Sequence, residues 1–275
     1  MIKMNGSPLV MGILNINSDS FYSNSRINSV SHFQTKFNQM IEDGADIIDI
    51  GACSTRPGSQ YITENEEWDR LLPMLKSIKG ICPDITISID TFRSEIVKKT
   101  FDLIGPFIVN DISCSIDDHK MFETVGRLGL EYIGMHKRGT PNSMQLNCDY
   151  NDIINDIREF FIDSIEKAKQ SGITKFIIDP GFGFSKNIDQ NYKLINNLES
   201  LKIQVEEQRY YPILIGISRK SMLYKPLNST PADVLHATSA LNLLALTKGA
   251  DIIRVHDVKE AKEIVKIYDK LKNNI

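Results

Sequence analysis

The sequence predicts an α/β barrel of eight parallel strands, the TIM-barrel architecture, with an active site at the carboxyl ends of the strands. Eight short apolar runs recur along the 275 residues, and each is followed by a segment whose apolar residues have helical spacing. The runs are three to six residues long and rich in β-branched side chains, which is typical of strands buried on both faces of a parallel sheet. An open, doubly wound sheet is the alternative, but no GxGxxG turn follows the first run.

The predicted strands and helices alternate along the chain. Phe33, Phe37 and Met40, for example, form one apolar helical stripe. No linker or low-complexity stretch divides the sequence, so we expect a single domain over residues 1–275. Three glycines precede strands where a helix end needs a residue that tolerates positive φ, namely Gly44, Gly172 and Gly249. The predicted strands are residues 9–14, 47–50, 85–89, 107–109, 132–135, 176–178, 213–217 and 252–255.

Composition narrows the class of protein. With 41% hydrophobic and 24% charged residues, the chain is not largely disordered, and its net charge of −3 lacks the basic excess of a nucleic-acid-binding protein. No apolar run reaches the ~18 residues of a membrane-spanning helix, and the first residues lack the apolar segment of a signal peptide. The cysteines at 53, 82, 114 and 148 form no CxxC pair, which disfavours zinc and fits a reducing compartment. We expect a cytoplasmic enzyme without a nucleic-acid or membrane partner.

Polar residues stand at the predicted carboxyl end of every strand. Any one of them is equally well explained by the loop that begins there, but a polar group at the same end of all eight strands favours a site. These residues are Asn15, Asp49, Asp90, Asn110, His136, Asp179, Ser218 to Lys220, and Arg254 with His256.

The segments around these residues are more specific than their spacing. In chain order they are Ile-Leu-Asn-Ile-Asn-Ser-Asp-Ser-Phe at 13–21, Asp-Ile-Gly-Ala-Cys-Ser-Thr-Arg-Pro-Gly at 49–58, Ser-Ile-Asp-Thr at 88–91, Asn-Asp-Ile at 110–112, Met-His at 135–136 before Gly-Thr-Pro at 139–141, Asp-Pro-Gly-Phe-Gly-Phe at 179–184, Ser-Arg-Lys-Ser at 218–221 and Arg-Val-His-Asp-Val at 254–258. This series resembles the dihydropteroate synthase family, the folate-pathway enzymes that sulfonamides inhibit, over residues 9–262.

The resemblance implies a condensation of 6-hydroxymethyl-7,8-dihydropterin pyrophosphate with para-aminobenzoate, which yields 7,8-dihydropteroate and pyrophosphate. A pterin edge alternates hydrogen-bond donors and acceptors. We expect Asp179 to accept from its 2-amino and N3–H groups, Asn110 to donate and accept, Asp90 to be a second acceptor, and Lys220 to donate to the 4-oxo and N5 side. Asp90 and Asp179 also precede helices, so helix capping is the competing explanation for both.

The pyrophosphate needs cationic partners. The resemblance implies that Arg254 and His256 bind it, with Mg²⁺ held by Asn15 and phosphate oxygens. Thr55 and Arg56 of the second loop are expected to reach over the substrates. The residues expected to be catalytic are Lys220, Arg254, His256 and Asp90.

Para-aminobenzoate needs an apolar slot and a partner for its carboxylate. We expect Phe184 and Pro57 to contact the ring, and Ser218 with the start of the following helix to bind the carboxylate. Lys220 and Arg219 are expected to add positive potential, although Arg219 is equally well explained as a solvated surface charge.

Four positions depart from the family pattern. Asn17 and Ser18 replace Thr-Pro in the first loop, Cys53 replaces a glutamate, and Ser185 stands where a glycine is common. A loop without proline is costlier to order, so we expect the arylamine to bind after the pterin pyrophosphate and metal have ordered the first loop.

Two other functions share a pterin-binding barrel. One is a corrinoid-linked methyltransferase, which needs neither the Arg-x-His pair at 254–256 nor the Ser-Thr-Arg-Pro-Gly loop; the other is a non-catalytic pterin-binding homologue. The resemblance also implies a homodimer, and the apolar stretch at 234–246 fits either a dimer face or an internal helix.

Overall fold

A computed structural model describes residues 6–16, 29–53, 62–80, 85–140, 143–207 and 209–274. Within these ranges the strands are β1 (Leu9–Asn15), β2 (Ile47–Gly51), β3 (Thr86–Asp90), β4 (Ile108–Asp111), β5 (Glu131–Met135), β6 (Phe176–Asp179), β7 (Gln204–Glu206), β8 (Arg209–Tyr210), β9 (Leu214–Ile215) and β10 (Ile252–Val255). The helices are α1 (Val30–Glu42), α2 (Glu64–Ile78), α3 (Ser94–Ile104), α4 (Met121–Leu128), α5 (Ile153–Gln170), α6 (Ile188–Asn196), α7 (Ser221–Tyr224), α8 (Leu235–Thr247) and α9 (Val258–Lys272).

Eight of these strands form one parallel sheet, in the order β6-β5-β4-β3-β2-β1-β10-β9. The two ends of this sheet meet, because Ile178 of β6 and Ile213 form a parallel bridge. The Ile178 N–H donates to the Pro212 carbonyl oxygen at 2.9 Å across the same seam. The sheet therefore closes into a barrel with helices alternating between its strands, and the predicted TIM-barrel fold is confirmed.

Two details differ from the sequence prediction. The strand predicted at 213–217 is regular only over Leu214–Ile215, with Ile213 adding the single bridge that closes the barrel. An antiparallel pair, β7 and β8, was not predicted. Its residues are largely exposed and contain no apolar run, so the pattern that marks buried strands is absent there.

The side chains inside the barrel form layers, and these layers determine where the polar residues lie. An apolar layer fills one level: Met11, Ile47, Ile108, Ile133, Ile177, Leu214 and Ile252. Because side chains of a strand alternate between its faces, the residue two positions further along points into the same interior. On four strands that residue is polar: Asp49, Asn110, Asp179 and Arg254. A polar layer therefore lies next to the apolar layer, two residues further along these strands toward their carboxyl ends.

The helices pack an apolar face on the outside of the sheet. Phe33 and Phe37 of α1 are buried as their spacing predicts. Gly44, Gly172 and Gly249 have φ angles of 90°, 89° and 92°, which confirms their predicted place after helix ends. In the part of the chain that the structure describes, no helix combines the length and apolarity needed to cross a membrane.

Candidate active site

Asp49 is the centre of the polar layer. Its side chain is fully buried, and its Oδ1 accepts a hydrogen bond from the Ser88 hydroxyl at 2.7 Å. Its Oδ2 accepts from Asn110 Nδ2 at 3.0 Å and from Arg254 Nε at 2.7 Å. One carboxylate therefore ties together side chains from β2, β3, β4 and β10.

Arg254 joins this centre to Asp90. Its Nη2 lies 2.6 Å from Asp49 Oδ2 and 2.9 Å from Asp90 Oδ2, so both carboxylates lie at the same end of the barrel as the guanidinium. Within the described ranges Nη1 has no hydrogen-bond partner, which leaves it available to an anion. Burial raises the pKa of Asp90 to about 7, since it outweighs the attraction of Arg254 and is reinforced by Asp49.

Asp179 and Lys220 face each other across the loop that follows β6. Asp179 Oδ1 accepts from the Gly181 N–H at 2.8 Å, and its Oδ2 has no partner among the residues that can be described. Lys220 Nζ donates to the Phe182 carbonyl oxygen and lies 4.7 Å from the centroid of the Phe184 ring. Burial lowers the pKa of Lys220 to about 8, although Asp179 opposes this shift, and burial raises the pKa of Asp179.

Neither Asp90 nor Asp179 caps a helix, so capping does not explain them. At the start of α3, the Ser94 N–H donates to Asp118 Oδ2 at 2.7 Å, and Asn187 caps α6. Asn110 uses one of its two amide N–H donors on Asp49, which leaves its second N–H and its Oδ1 for a ligand.

The β9 and β10 ends are linked by a second set of polar contacts. Ser218 Oγ lies 3.0 Å from His256 Nδ1. Arg219, with a φ of 60°, pairs with Asp257 through contacts of 2.5 Å and 3.2 Å. Arg219 is therefore not a solvated surface charge, and its positive potential is largely neutralised by Asp257.

Asn15 ends β1 beside Gly51 and Asp90. A Cβ built on Gly51 would lie 3.4 Å from Asn15 Oδ1 and 3.1 Å from the Asp90 Cβ, so a side chain at this position would crowd Asp90. Among the described residues no three or more His, Cys, Asp or Glu side chains are grouped to hold a metal ion.

The chain matches known proteins over nearly its whole length. A family described as "Pterin binding enzyme" matches residues 11–256. Dihydropteroate synthase of Escherichia coli strain K12 is 37% identical over 264 residues, covering 95% of this chain and 91% of that relative. The chain belongs to the dihydropteroate synthase family. It is thus a transferase of folate synthesis.

Solved structures of dihydropteroate synthase have the same fold. The Yersinia pestis enzyme, in complex with a sulfonamide drug, superposes with a TM-score of 0.90 at 35% identity, covering 99% of this chain and 96% of that chain. The Burkholderia cenocepacia enzyme, complexed with 7,8-dihydropteroate, gives a TM-score of 0.85 at 30% identity, covering 97% of this chain and 92% of that chain.

Most of the first two loops of this dihydropteroate synthase family member lies outside the residues that the structure describes. Thr55, Arg56 and Pro57 lie outside the described residues, as do Asn17 and Ser18. Two described arginines hold the ends of the second loop. Arg70 Nη1 donates to the Ala52 carbonyl oxygen at 3.4 Å, and Arg93 Nη2 donates to the Ile62 carbonyl oxygen at 2.5 Å while pairing with buried Glu67.

Two features of this dihydropteroate synthase site were missed from the sequence. The sequence places Asp49 at a strand end, but the prediction assigns it no role. Its position two residues after Ile47 indicates that its side chain points into the barrel interior. His136 does not reach the polar layer, since its ring packs edge-on against Phe160 at 4.9 Å and lies 3.1 Å from buried Lys186 Nζ. Nothing in the spacing of residues 179–186 indicates that Lys186 turns inward.

Proposed function

We propose that this chain condenses 6-hydroxymethyl-7,8-dihydropterin pyrophosphate with para-aminobenzoate to give 7,8-dihydropteroate and pyrophosphate. The observation that carries the proposal is the polar layer of Asp49, Asn110, Asp179 and Arg254 at one end of the barrel, to which Arg254 joins Asp90. The 7,8-dihydropteroate in the Burkholderia cenocepacia structure supports the product, and the drug in the Yersinia pestis structure supports a sulfonamide target.

The pterin edge fits two groups of this layer, Asp179 and Asn110, together with Lys220. Asp179 Oδ2 is the acceptor for the 2-amino and N3–H donors, because Gly181 already occupies Oδ1. The Asn110 side-chain amide both donates a hydrogen bond to the pterin edge and accepts one from it, and Lys220 donates to the 4-oxo and N5 side. A ligand that leaves one of these buried groups unpaired would lose ~1–3 kcal/mol, which makes the layer selective for this edge.

The pyrophosphate leaves from the methylene carbon on the pterin ring. Arg254, whose Nη1 is available, and His256 would bind its oxygens as negative charge develops on them. The C–O bond to pyrophosphate breaks, the arylamine nitrogen bonds to the same carbon, and the amine releases a proton. An arylamine attacks as the neutral species, so the site needs no general base. Its task is to stabilise the leaving group and exclude water.

Magnesium would be held by Asn15 and by phosphate oxygens of the substrate. The hard carbonyl oxygen of Asn15, beside the glycine at position 51, fits a cation that keeps most of its waters. The ion would supply positive charge to the pyrophosphate. We propose Mg²⁺ for this role because one amide oxygen together with phosphate oxygens suits a hard cation.

Para-aminobenzoate would contact the Phe184 ring, with Ser218 at its carboxylate. Phe184 packs against a small apolar cluster of Cys53, Phe92, Ile112 and Met135 at the mouth of the barrel. Helix α7 after Ser218 is only four residues long, so its dipole contributes little and the Ser218 hydroxyl is the main polar contact.

We further propose that the protein is a single-domain homodimer of the cytoplasm. The observation behind the dimer is α8, on which Leu235, Leu243 and Leu244 are only half-buried within one chain. Leucines that stay partly exposed on one helix fit a face that packs on a second copy.

Calorimetry with dihydropterin pyrophosphate and Mg²⁺, followed by an assay of pyrophosphate release on adding para-aminobenzoate, tests this function. We expect binding and then release that requires the arylamine. Binding without release would indicate a non-catalytic pterin-binding homologue, and absence of binding would overturn the proposal.

Asp179→Asn is expected to weaken binding of dihydropterin pyrophosphate by about 10- to 150-fold, which corresponds to ~1.5–3 kcal/mol. The change removes the charge from a buried acceptor while keeping its shape. Isothermal titration calorimetry measures it. Asp163→Asn, on the exposed face of α5, is the matched control and should bind as the wild type does. An unchanged dissociation constant in a folded Asp179→Asn protein would remove Asp179 from the pterin site.

The pH dependence of kcat/KM for dihydropterin pyrophosphate is expected to be bell-shaped, with its maximum between pH 7 and 8. Burial raises the pKa of Asp90 to about 7, so at lower pH this group takes up a proton and loses its charge. Burial lowers the pKa of Lys220 to about 8, so at higher pH the amine loses its charge. Steady-state rates from pH 5.5 to 9.5 check this, and a flat profile would contradict both assignments.

A further inference from the structure

The loop at 180–187, which follows β6, is fastened to residues 136–138 by Ser185. This serine is fully buried and has a φ of 52°, in the left-handed region that favours glycine. Its hydroxyl donates to the Arg138 carbonyl oxygen at 2.6 Å and accepts from the Arg138 N–H at 2.7 Å. A glycine would adopt this φ without cost but would leave both backbone groups of Arg138 without this partner.

Lys186 holds the same loop through a second set of hydrogen bonds. Its side chain is buried, and Nζ donates to the carbonyl oxygens of Gly181 and Phe184, both at 3.0 Å. Nζ also lies 3.1 Å from His136 Nδ1. Burial and the adjacent Lys186 hold the pKa of His136 well below its usual range, so the ring is neutral and Nδ1 accepts. The His136 carbonyl oxygen lies 3.5 Å from Nζ as well, so one amine contacts acceptors from two loops.

The fastened loop carries groups of the site. Lys220 Nζ donates to the carbonyl oxygen of Phe182 and lies over the ring of Phe184. A Cβ built on Gly183 would lie 3.1 Å from Lys220 Cδ, so the backbone of the loop is in close contact with this side chain. Lys186 donates directly to the Phe184 carbonyl oxygen. It therefore restrains the backbone of the residue whose ring is assigned to the arylamine under the proposed function.

We propose that Ser185 and Lys186 are positioning residues that hold Phe184 in place for the arylamine. The inference rests on the proposed function. Neither side chain is aimed at the substrates, since Ser185 is bonded to Arg138 and Lys186 to carbonyl groups of its own loop. Their loss should therefore affect the arylamine more than the pterin, whose main partners Asp179 and Asn110 belong to strands β6 and β4.

Steady-state kinetics of Lys186→Met, Ser185→Ala and Ser185→Gly test the proposal. Lys186→Met is expected to raise KM for para-aminobenzoate at least tenfold and to change KM for dihydropterin pyrophosphate less than threefold. Ser185→Ala removes the hydroxyl and keeps the unfavourable φ, so its effect should exceed that of Ser185→Gly, which removes both. Lys193→Met, exposed on α6, is the matched control and should leave both KM values unchanged.

Amide hydrogen exchange gives a readout that does not require activity. The peptide covering 180–187 should lose protection in Lys186→Met and Ser185→Ala, while peptides from β1 to β3 keep theirs. Wild-type protein without turnover would overturn the proposed function. Active wild type whose variants show unchanged KM values, equal changes for both substrates, or unaltered protection would overturn the positioning role alone. If Lys186→Met does not fold, the comparison of Ser185→Ala with Ser185→Gly, neither of which alters a charge, tests the positioning role.

Discussion

Asp49→Asn is expected to destabilise the protein by about 3–5 kcal/mol, the cost of breaking a buried ion pair. Three donors converge on the Asp49 carboxylate, from Ser88, Asn110 and Arg254. An asparagine offers one oxygen and one amino group, so at least one donor would face another donor. Arg254 would also lose one of its two carboxylate partners. Urea unfolding measures the stability, with kcat/KM measured on the folded fraction.

The kinetic effect of Asp49→Asn should exceed what instability explains. With its anchor weakened, Arg254 is less well oriented toward the pyrophosphate, and we expect kcat/KM to fall about 100-fold. Asp69→Asn, exposed on α2, is the control with the same change of charge. Wild-type stability and kcat/KM in Asp49→Asn would show that this carboxylate does not organise the layer.

Lys220→Met is expected to lower kcat/KM for dihydropterin pyrophosphate about 100- to 1000-fold, as the loss of a preorganised charged donor does elsewhere. The substitution keeps most of the apolar length of the side chain and removes the charge that faces Asp179. It also removes the hydrogen bond to Phe182, so the loop loses a contact. Steady-state kinetics with both substrates measure the loss.

Lys225→Met provides the control for Lys220→Met, because Lys225 is exposed only five residues further along. Thermal unfolding of both variants separates a loss of the donor from a loss of the fold. If kcat/KM of Lys220→Met stays within threefold of the wild type, Lys220 is not the donor to the pterin.

The barrel could be predicted because its signals are local. Strands buried on both faces must be short and apolar, and each helix that covers them must repeat its apolar residues with helical spacing. Helix ends such as Gly44 and Gly172 need a residue that tolerates positive φ. The hairpin of β7 and β8 has no such signature, since little of it is buried, and it was missed.

The candidate site was only partly predictable. Strand ends placed Asp90, Asp179 and Arg254 at one end of the barrel, because parallel strands share their direction. The contacts among them depend on which face each side chain takes and on side-chain reach, and so the role of Asp49 did not emerge. The role of Lys186 could not be predicted for a similar reason. Only the folded loop shows that its amine points inward to His136 and to carbonyl oxygens of its own loop.

Product formation tests the central claim most directly. Wild-type protein with Mg²⁺, dihydropterin pyrophosphate and para-aminobenzoate is incubated, and 7,8-dihydropteroate is quantified by mass spectrometry alongside released pyrophosphate. We expect one pyrophosphate for each dihydropteroate, with neither formed when para-aminobenzoate is left out. Pyrophosphate released without dihydropteroate, or no product from a folded protein that binds the pterin, would contradict the account.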